Sequence, residues 1–345
     1  MFFIITIHTL QHGGVLESVA VGSGQYICAK LLFSIVNSGV DIFALISGFV
    51  GYRDEIRSPS YNKFIELWSR VVFYSIVIAI IFCFIFSVNI GIKDIIKLFT
   101  PVTSNSYWYF TSYFFVICLA PVLNRFVKKV VEKNIHGTLL VGYVSLLLSH
   151  RLTGLFSIVL LLYLYYLGAY FRKAEIGTNI KISKCMTWVV LIILLNCICT
   201  IIFESRVSTS IGGLFLRYDS PTLIINAVFW LLTFKQIRIN KYRTMHALRI
   251  VSPSIFSAYL INDNPYMRNY YITDRFVGIV NLPVAIFILE IVLFGVFFLV
   301  FSICIDFCRE WLFKRLHIYQ GIHYCKKNID VFLGKLEITI LRIIR

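Results

Sequence analysis

The sequence has little charge, and most of its charged residues are basic. Charged residues make up 14% of the 345 positions, whereas soluble domains carry roughly 25%. Hydrophobic residues make up 59%, which leaves too little polar surface to cover a water-soluble particle of this size. The composition therefore excludes a cytosolic enzyme and a free nucleic-acid-binding protein, and it indicates an integral membrane protein.

Several other common sequence features are missing. The nine cysteines include no CxxC pair, so neither a disulfide framework nor a metal site is indicated, and we predict no bound metal. We find no internal repeat of the kind that many transporters carry. The stretch before Gln11 also lacks the basic region and cleavage site of a secretory signal.

Long apolar runs are abundant, and they predict an all-α, polytopic bundle of about ten transmembrane helices over residues 1–308. About 20 residues cross ~30 Å of hydrocarbon, and the fifth and ninth runs are short, so we expect breaks there. Residues 309–345 alternate basic and apolar side chains, which predicts a basic amphipathic tail at the membrane surface. In chain order the predicted spans are Met1–Leu10, Leu31–Val50, Val71–Ile90, Tyr107–Leu123, Thr138–Ser149, Thr153–Phe171, Met186–Phe203, Pro221–Phe234, Ile250–Ile261 and Val280–Ile305.

The distribution of Lys and Arg predicts which loops face the cytoplasm. The loops after even-numbered spans, together with the tail, hold 25 of the 33 Lys and Arg residues. We call these the inner loops, and the loops after odd-numbered spans, with the other 8, the outer loops. Cytoplasmic loops carry such an excess. We therefore predict a multi-pass protein of the cell inner or plasma membrane with both termini in the cytoplasm, in contact with anionic lipids.

The first predicted span contains only ten residues. Ten residues form about 15 Å of helix, which is half of a bilayer. We therefore expect that this helix is truncated, that the true start codon lies upstream, and that the DNA between it and Met1 encodes the missing half.

Ionisable groups at membrane depth are costly and mark functional sites. His8 lies in the first span and Asp41 lies midway along the second. His8 is followed by TLQHGG, a polar and flexible exit from the helix that contains His12. Because imidazole exchanges protons near neutral pH, His8 is the candidate general base. Asp41 is the candidate residue that orients it, or alternatively a hydrogen-bonding group between helices.

Four blocks stand out in chain order: MFFIITIHTLQHGG (Met1–Gly14), SGVDIFALISGFV (Ser38–Val50), YWYFTSYFFVICLAPVLN (Tyr107–Asn124) and FSAYLINDNP (Phe256–Pro265). As a set they resemble segments of the acyltransferase-3 family of integral membrane enzymes. The resemblance implies transfer of acetyl, or a similar acyl group, from acetyl-CoA to a hydroxyl of a cell-surface or lipid-linked glycan. It places His8 at the family's essential histidine. An arginine found eleven positions earlier in the family would fall upstream of Met1, and Asn262 stands where many members have histidine.

Acyl transfer from a thioester to a hydroxyl needs a base, a dry pocket, and cations for the phosphates of coenzyme A. The predicted catalytic residues are His8 and Asp41. The predicted coenzyme A contacts are Arg53, Arg57, Lys63 and Arg70, and the predicted contacts to the carbohydrate acceptor are His12, Trp108, Tyr109 and Asn262. The four cations also fit a role as topology determinants, and the two aromatic residues also fit an interfacial belt.

Two other functions remain alternatives. A transporter or flippase for a lipid-linked glycan would need ion-coupling carboxylates on broken helices, and only Asp41 and Glu290 are available within the spans. A glycan polymerase would be expected to carry a long outer loop rich in arginine, and the outer loops here are short. Both rank below the acyltransferase.

Overall fold

The computed structural model of the protein is built from helices. It describes residues 1–54, 61–152 and 154–324, with side chains from residue 64 onward in the second range. These ranges contain no β-strand, so the predicted all-α architecture is confirmed. The α-helices are α1 (Phe2–Gln11), α2 (Val15–Ser18), α3 (Gly24–Val36), α4 (Gly39–Gly51), α5 (Tyr61–Phe86), α6 (Ile92–Phe99), α7 (Trp108–Glu132), α8 (Thr138–Ser149), α9 (Phe156–Lys173), α10 (Ile182–Arg206), α11 (Thr209–Gly213), α12 (Pro221–Gln236), α13 (Tyr242–Val251), α14 (Ile255–Asn262) and α15 (Val284–Arg315).

Among the described residues, four helical stretches are long and apolar enough to cross a membrane. The first is Gly24–Gly51, which combines α3 and α4 over 28 residues, and the second is Phe64–Phe86 within α5. The other two are α10 and α15, whereas α8 is a shorter apolar helix. The protein is therefore a helical membrane protein, and the count of ten crossings stays a prediction.

The second predicted span, Leu31–Val50, differs from the observed helix. The apolar stretch begins earlier, at Gly24, and a turn at Asn37 and Ser38 separates α3 from α4. The Asn37 side-chain amide donates a hydrogen bond to the carbonyl oxygen of Leu216. Such a contact satisfies polar groups at a helix break inside a bundle, where water cannot do so.

The ninth predicted span, Ile250–Ile261, is split. A 3₁₀ turn over Ser252–Ser254 separates α13 from α14, and it contains Pro253. Proline has no N–H to donate and disfavours a continuous α-helix. No residue of α13 is buried, whereas Ser257–Asn262 of α14 are all buried. Only α14 therefore enters the bundle.

The helices α4 and α9 cross at two glycines. A Cβ atom added to Gly48 would lie 2.0 Å from the carbonyl oxygen of Tyr165, and one added to Gly168 would lie 2.0 Å from that of Leu45. Only glycine, which has no Cβ atom, allows the two backbones to approach so closely. Such close packing is typical of membrane helices that pack through small residues. This crossing fixes α4, the helix that carries Asp41.

A buried ion pair fixes α14. The Arg309 Nε and Asp306 Oδ1 atoms are 2.6 Å apart, and both side chains are buried. The same oxygen accepts hydrogen bonds from Tyr74 of α5 at 2.8 Å and from Ser257 of α14 at 2.5 Å. The pair therefore ties α5, α14 and α15 together. Residues of the predicted tail from 325 onward lie outside the described ranges, so the division at residue 308 stays a prediction.

Candidate active site

The short helix α1 places His8 in the interior of the bundle. All residues from Ile4 to Leu10 are buried, and α1 packs against α3, α14 and α15. His8 Nδ1 lies 2.5 Å from the side-chain oxygen of Asn262, the last residue of α14. The first and fourth sequence blocks thus meet at one hydrogen bond between residues 254 positions apart.

This contact determines the protonation of the imidazole ring. An amide oxygen can only accept a hydrogen bond. Nδ1 of a neutral His8 therefore carries the ring proton and donates a hydrogen bond to the Asn262 oxygen. Nε2 then holds the lone pair and can accept a proton. The second amide atom, Nδ2 of Asn262, is buried without a hydrogen-bond partner among the described residues.

Polar groups continue from His8 along the chain. The ring centroids of His8 and His12 are 5.1 Å apart. Asp263 follows Asn262, is buried, and lies 3.3 Å from a guanidinium nitrogen of Arg268. The flexible exit after α1 is held in place because the backbone N–H of Asp274 donates to the His12 carbonyl oxygen at 3.1 Å. His8 and Asn262 therefore belong to a polar cluster that also contains His12, Asp263 and Arg268.

A cavity of about 270 Å³ opens beside His8. His8 and the two predicted aromatic residues Trp108 and Tyr109 all line it, so the structure brings these three together. The Trp108 ring stacks on Tyr218 at a centroid distance of 6.1 Å, which builds one aromatic wall. The lining residues are Met1, Ile4, Ile7, His8, Val40, Phe43, Trp108, Tyr109, Tyr218, Ser252, Ile255, Phe256 and Tyr259.

Asp41 is buried but makes no hydrogen bond to His8. Neither of its carboxylate oxygens has a hydrogen-bond partner within the described part of the chain. Its neighbours Val40 and Phe43 line the cavity, and Asp41 itself does not. The contact to His8 that was predicted for Asp41 is therefore made by Asn262. The sequence had predicted Asn262 as a contact to the carbohydrate acceptor.

The predicted coenzyme A contacts lie in different settings. Arg53 lines a cleft of about 530 Å³ on the side of the inner loops, together with Arg172, Lys173 and Lys235. Lys173 lies 2.6 Å from Asp54. This ammonium and the Tyr52 hydroxyl hold the pKa of the Asp54 carboxyl below its usual range. The cleft therefore combines four cations with two carboxylates, those of Asp54 and Glu175.

Arg70 lies closer to the His8 cavity. It donates a hydrogen bond to the carbonyl oxygen of Pro253 at 3.0 Å and pairs with Glu66 at 3.2 Å. The flanking residues Ser252 and Ile255 line the cavity, so this guanidinium is adjacent to its wall. Arg57 and the side chain of Lys63 lie outside the described residues.

Sequence reasoning missed several residues of the site. Tyr218 and Tyr259 line the cavity. Tyr218 stands in no distinguishing pattern, whereas Tyr259 lies in the fourth block but was given no role. The adjacency of Asp263 to Asn262 was the available signal for the polar cluster, and Arg268 follows five residues later. The described residues include no group of His, Cys, Asp or Glu that could hold a metal ion.

These features define a class of protein. The protein is a helical membrane protein with a histidine of one fixed tautomer that lines a cavity inside the bundle.

Comparison with known proteins gives the family. A family model described as an acyltransferase domain matches residues 1–307. The chain therefore belongs to this acyltransferase family, and the resemblance carried by the four sequence blocks is confirmed. A search of curated proteins found no match to the chain, and a search of solved structures found none either.

Proposed function

We propose that the protein transfers an acetyl or similar acyl group from acetyl-CoA to a hydroxyl of a cell-surface or lipid-linked glycan. One observation carries the proposal: His8, held by Asn262 at 2.5 Å, lines a cavity inside the bundle of an acyltransferase. The acyl donor, the glycan acceptor and the residue roles below all belong to this proposal.

In the proposed reaction, His8 acts as the general base. Nε2 accepts the proton of the acceptor hydroxyl while the hydroxyl oxygen attacks the carbonyl carbon of the thioester. The carbon–sulfur bond breaks and an ester bond forms. The proton then passes from His8 to the departing coenzyme A thiolate. A positive charge develops on the ring during the attack, and the hydrogen bond from Nδ1 to Asn262 becomes stronger because it is then charge-assisted.

The donor enters from the inner side in this proposal. Ser252 lines the cavity and adjoins the residue that Arg70 contacts, so a thioester can enter there while its phosphates stay near cations. Arg53 and the basic cleft provide further charge on the same predicted side. The contact of Lys173 with Asp54 supports this sidedness, because it joins two predicted inner loops.

The acceptor reaches the cavity from the outer side. Trp108 and Tyr109 are suited to stack on a sugar ring, and His12 can hydrogen-bond its hydroxyls. A hydrogen bond of 2.7 Å between His150 and Asp219 joins two predicted outer loops. It supports the grouping of these loops on one face, opposite the basic inner loops.

The proposed function can be tested by mass spectrometry of surface glycans from cells with and without the gene. The expected result is the loss of an acyl mass increment from one glycan when the gene is deleted. Complementation with the wild type should restore it, and complementation with His8→Ala should not. An unchanged acyl content in every surface glycan would contradict the proposal and favour the transporter alternative.

A further inference from the structure

A second cavity, of about 250 Å³, lies between predicted outer segments. Its walls come from Ser75 of α5, from the stretch between α5 and α7, and from the segment that follows α14. Unlike the His8 cavity, it is lined largely by polar side chains, among them Asn89, Asp94 and Asn269. The Lys97 ammonium, 3.0 Å from Asp94, holds the pKa of that carboxyl below its usual range. The cavity therefore offers amide groups, a carboxylate and the ammonium of Lys97, and it lies between segments that are predicted to be outer loops.

One side of this outer cavity is aromatic. Tyr266 and Tyr270 line it, and their rings stack at a centroid distance of 6.4 Å and an interplanar angle of 17°. Tyr270 is 55% exposed, so its ring is accessible. It lies in a π-helical turn, Met267–Ile272, and such turns are frequent at functional sites.

The outer cavity is joined to His8 through the three consecutive residues Asn262, Asp263 and Asn264. Asn264 lines the cavity and is buried, and its amide donates to the Tyr107 hydroxyl at 2.7 Å. Two positions earlier, Asn262 holds His8. Tyr107 packs against Tyr259, which lines the His8 cavity, at a centroid distance of 6.0 Å. The same short segment therefore contributes to the walls of one cavity and positions the base of the other.

We propose that the outer cavity binds a sugar unit of the acceptor glycan, next to the unit that is acylated. A sugar presents hydroxyls that pair with amides and carboxylates, and apolar C–H faces that pack on an aromatic ring. The volume, about 250 Å³, is near the lower limit of ligand pockets, roughly 300 Å³, which suits a ligand of the size of one sugar unit. This inference rests on the proposed function, because it identifies the place where the acceptor is held.

The first test is a pair of substitutions at Tyr270 in protein purified from the host strain. The acceptor is the strain's own surface polysaccharide after alkaline removal of its ester groups, and the donor is radiolabelled acetyl-CoA. Tyr270→Ala should raise the KM for the polysaccharide about two- to tenfold, the effect of losing one aromatic contact. The KM for acetyl-CoA and the kcat should stay unchanged. Tyr270→Phe keeps the ring and should behave as the wild type.

The second test does not depend on acyl transfer. Asn269→Cys places a thiol at the exposed edge of the cavity, and its alkylation by a membrane-impermeant reagent is followed peptide by peptide. The same polysaccharide should slow this alkylation several-fold. It should not slow alkylation of Ser210→Cys, an exposed position on another outer segment.

The results distinguish the two proposals. Wild-type KM values in Tyr270→Ala, or equal alkylation of Asn269→Cys with and without polysaccharide, would overturn the sugar site while leaving the acyltransferase proposal intact. Protection of Asn269→Cys by the polysaccharide, together with no acetyl transfer to that polysaccharide by the wild-type protein, would contradict the proposed function instead.

Discussion

Replacing Asn262 with leucine tests how His8, the proposed general base, is held. Leucine has the same branching at Cγ and is larger, but it has no acceptor, so His8 loses the partner that lies 2.5 Å from Nδ1. As the ring gains charge in the transition state, this hydrogen bond is one to a charged group, worth about 1.5–3 kcal/mol. Each 1.36 kcal/mol corresponds to a factor of ten in rate. We therefore expect kcat to fall about 10- to 150-fold, less than the ~10²- to 10⁴-fold loss on removing a general base.

The matched variant is Asn262→Asp, which keeps an oxygen acceptor for Nδ1 and should retain more activity than Asn262→Leu. The assay is release of free coenzyme A from acetyl-CoA in the presence of the de-esterified polysaccharide, with protein purified from the host strain. Equal losses in the two variants, or full activity in Asn262→Leu, would refute the tautomer argument. Normal amounts of both variants in the membrane would show that the comparison reports on chemistry.

Three further predictions concern the bundle. Gly168→Val places carbon atoms against the Leu45 carbonyl and should destabilise the protein by about 1–3 kcal/mol or more. This loss should lower the melting temperature in detergent. The control Gly137→Ala, where a Cβ meets nothing within 4 Å, should leave the melting temperature unchanged. Asp306→Ala removes the carboxylate 2.6 Å from the buried Arg309, which keeps its contacts to Glu310 and Tyr319, and it should cost up to about 5 kcal/mol. The double variant Asp306→Leu/Arg309→Met should recover part of this loss, and no recovery would contradict the view that the poorly compensated guanidinium causes it. Cysteines at Lys128 and Lys181 should be shielded from an impermeant thiol reagent in intact cells, and labelling of one but not the other would contradict the ten-span topology.

The fold class could be predicted from the sequence because it depends on composition and on the length of apolar runs. The existence of α10 and α15 follows from such runs, although α10 ends at Arg206 and α15 at Arg315, beyond the predicted ends at Phe203 and Ile305. Pro253 accounts for the split of the ninth span. The turn at Asn37 was not predictable, since its stabilising partner, Leu216, lies 179 positions away. Arg309 was assigned to the tail because a charge ends an apolar run. Its burial depends on Asp306 one helical turn earlier.

The site was predictable in part. His8 stands out as an ionisable residue in an apolar run, and the fourth block marks Asn262, but no local pattern pairs two residues 254 positions apart. Asp41 is also an ionisable residue in an apolar run, which is the signal expected of a partner of His8. Only the packing of α1 against α14 decides that Asn262 makes the contact. The outer cavity was missed because its residues come from three separate segments of the chain.

The most direct measurement of the central claim is the acyl content of the surface glycans in a deletion strain that carries either the wild-type gene or His8→Ala at the native locus. The amount of each protein in the membrane is measured in the same cells. The account predicts that both proteins insert to similar levels and that only the wild type restores the acyl groups. Full acylation of the glycan in cells that carry His8→Ala would contradict it.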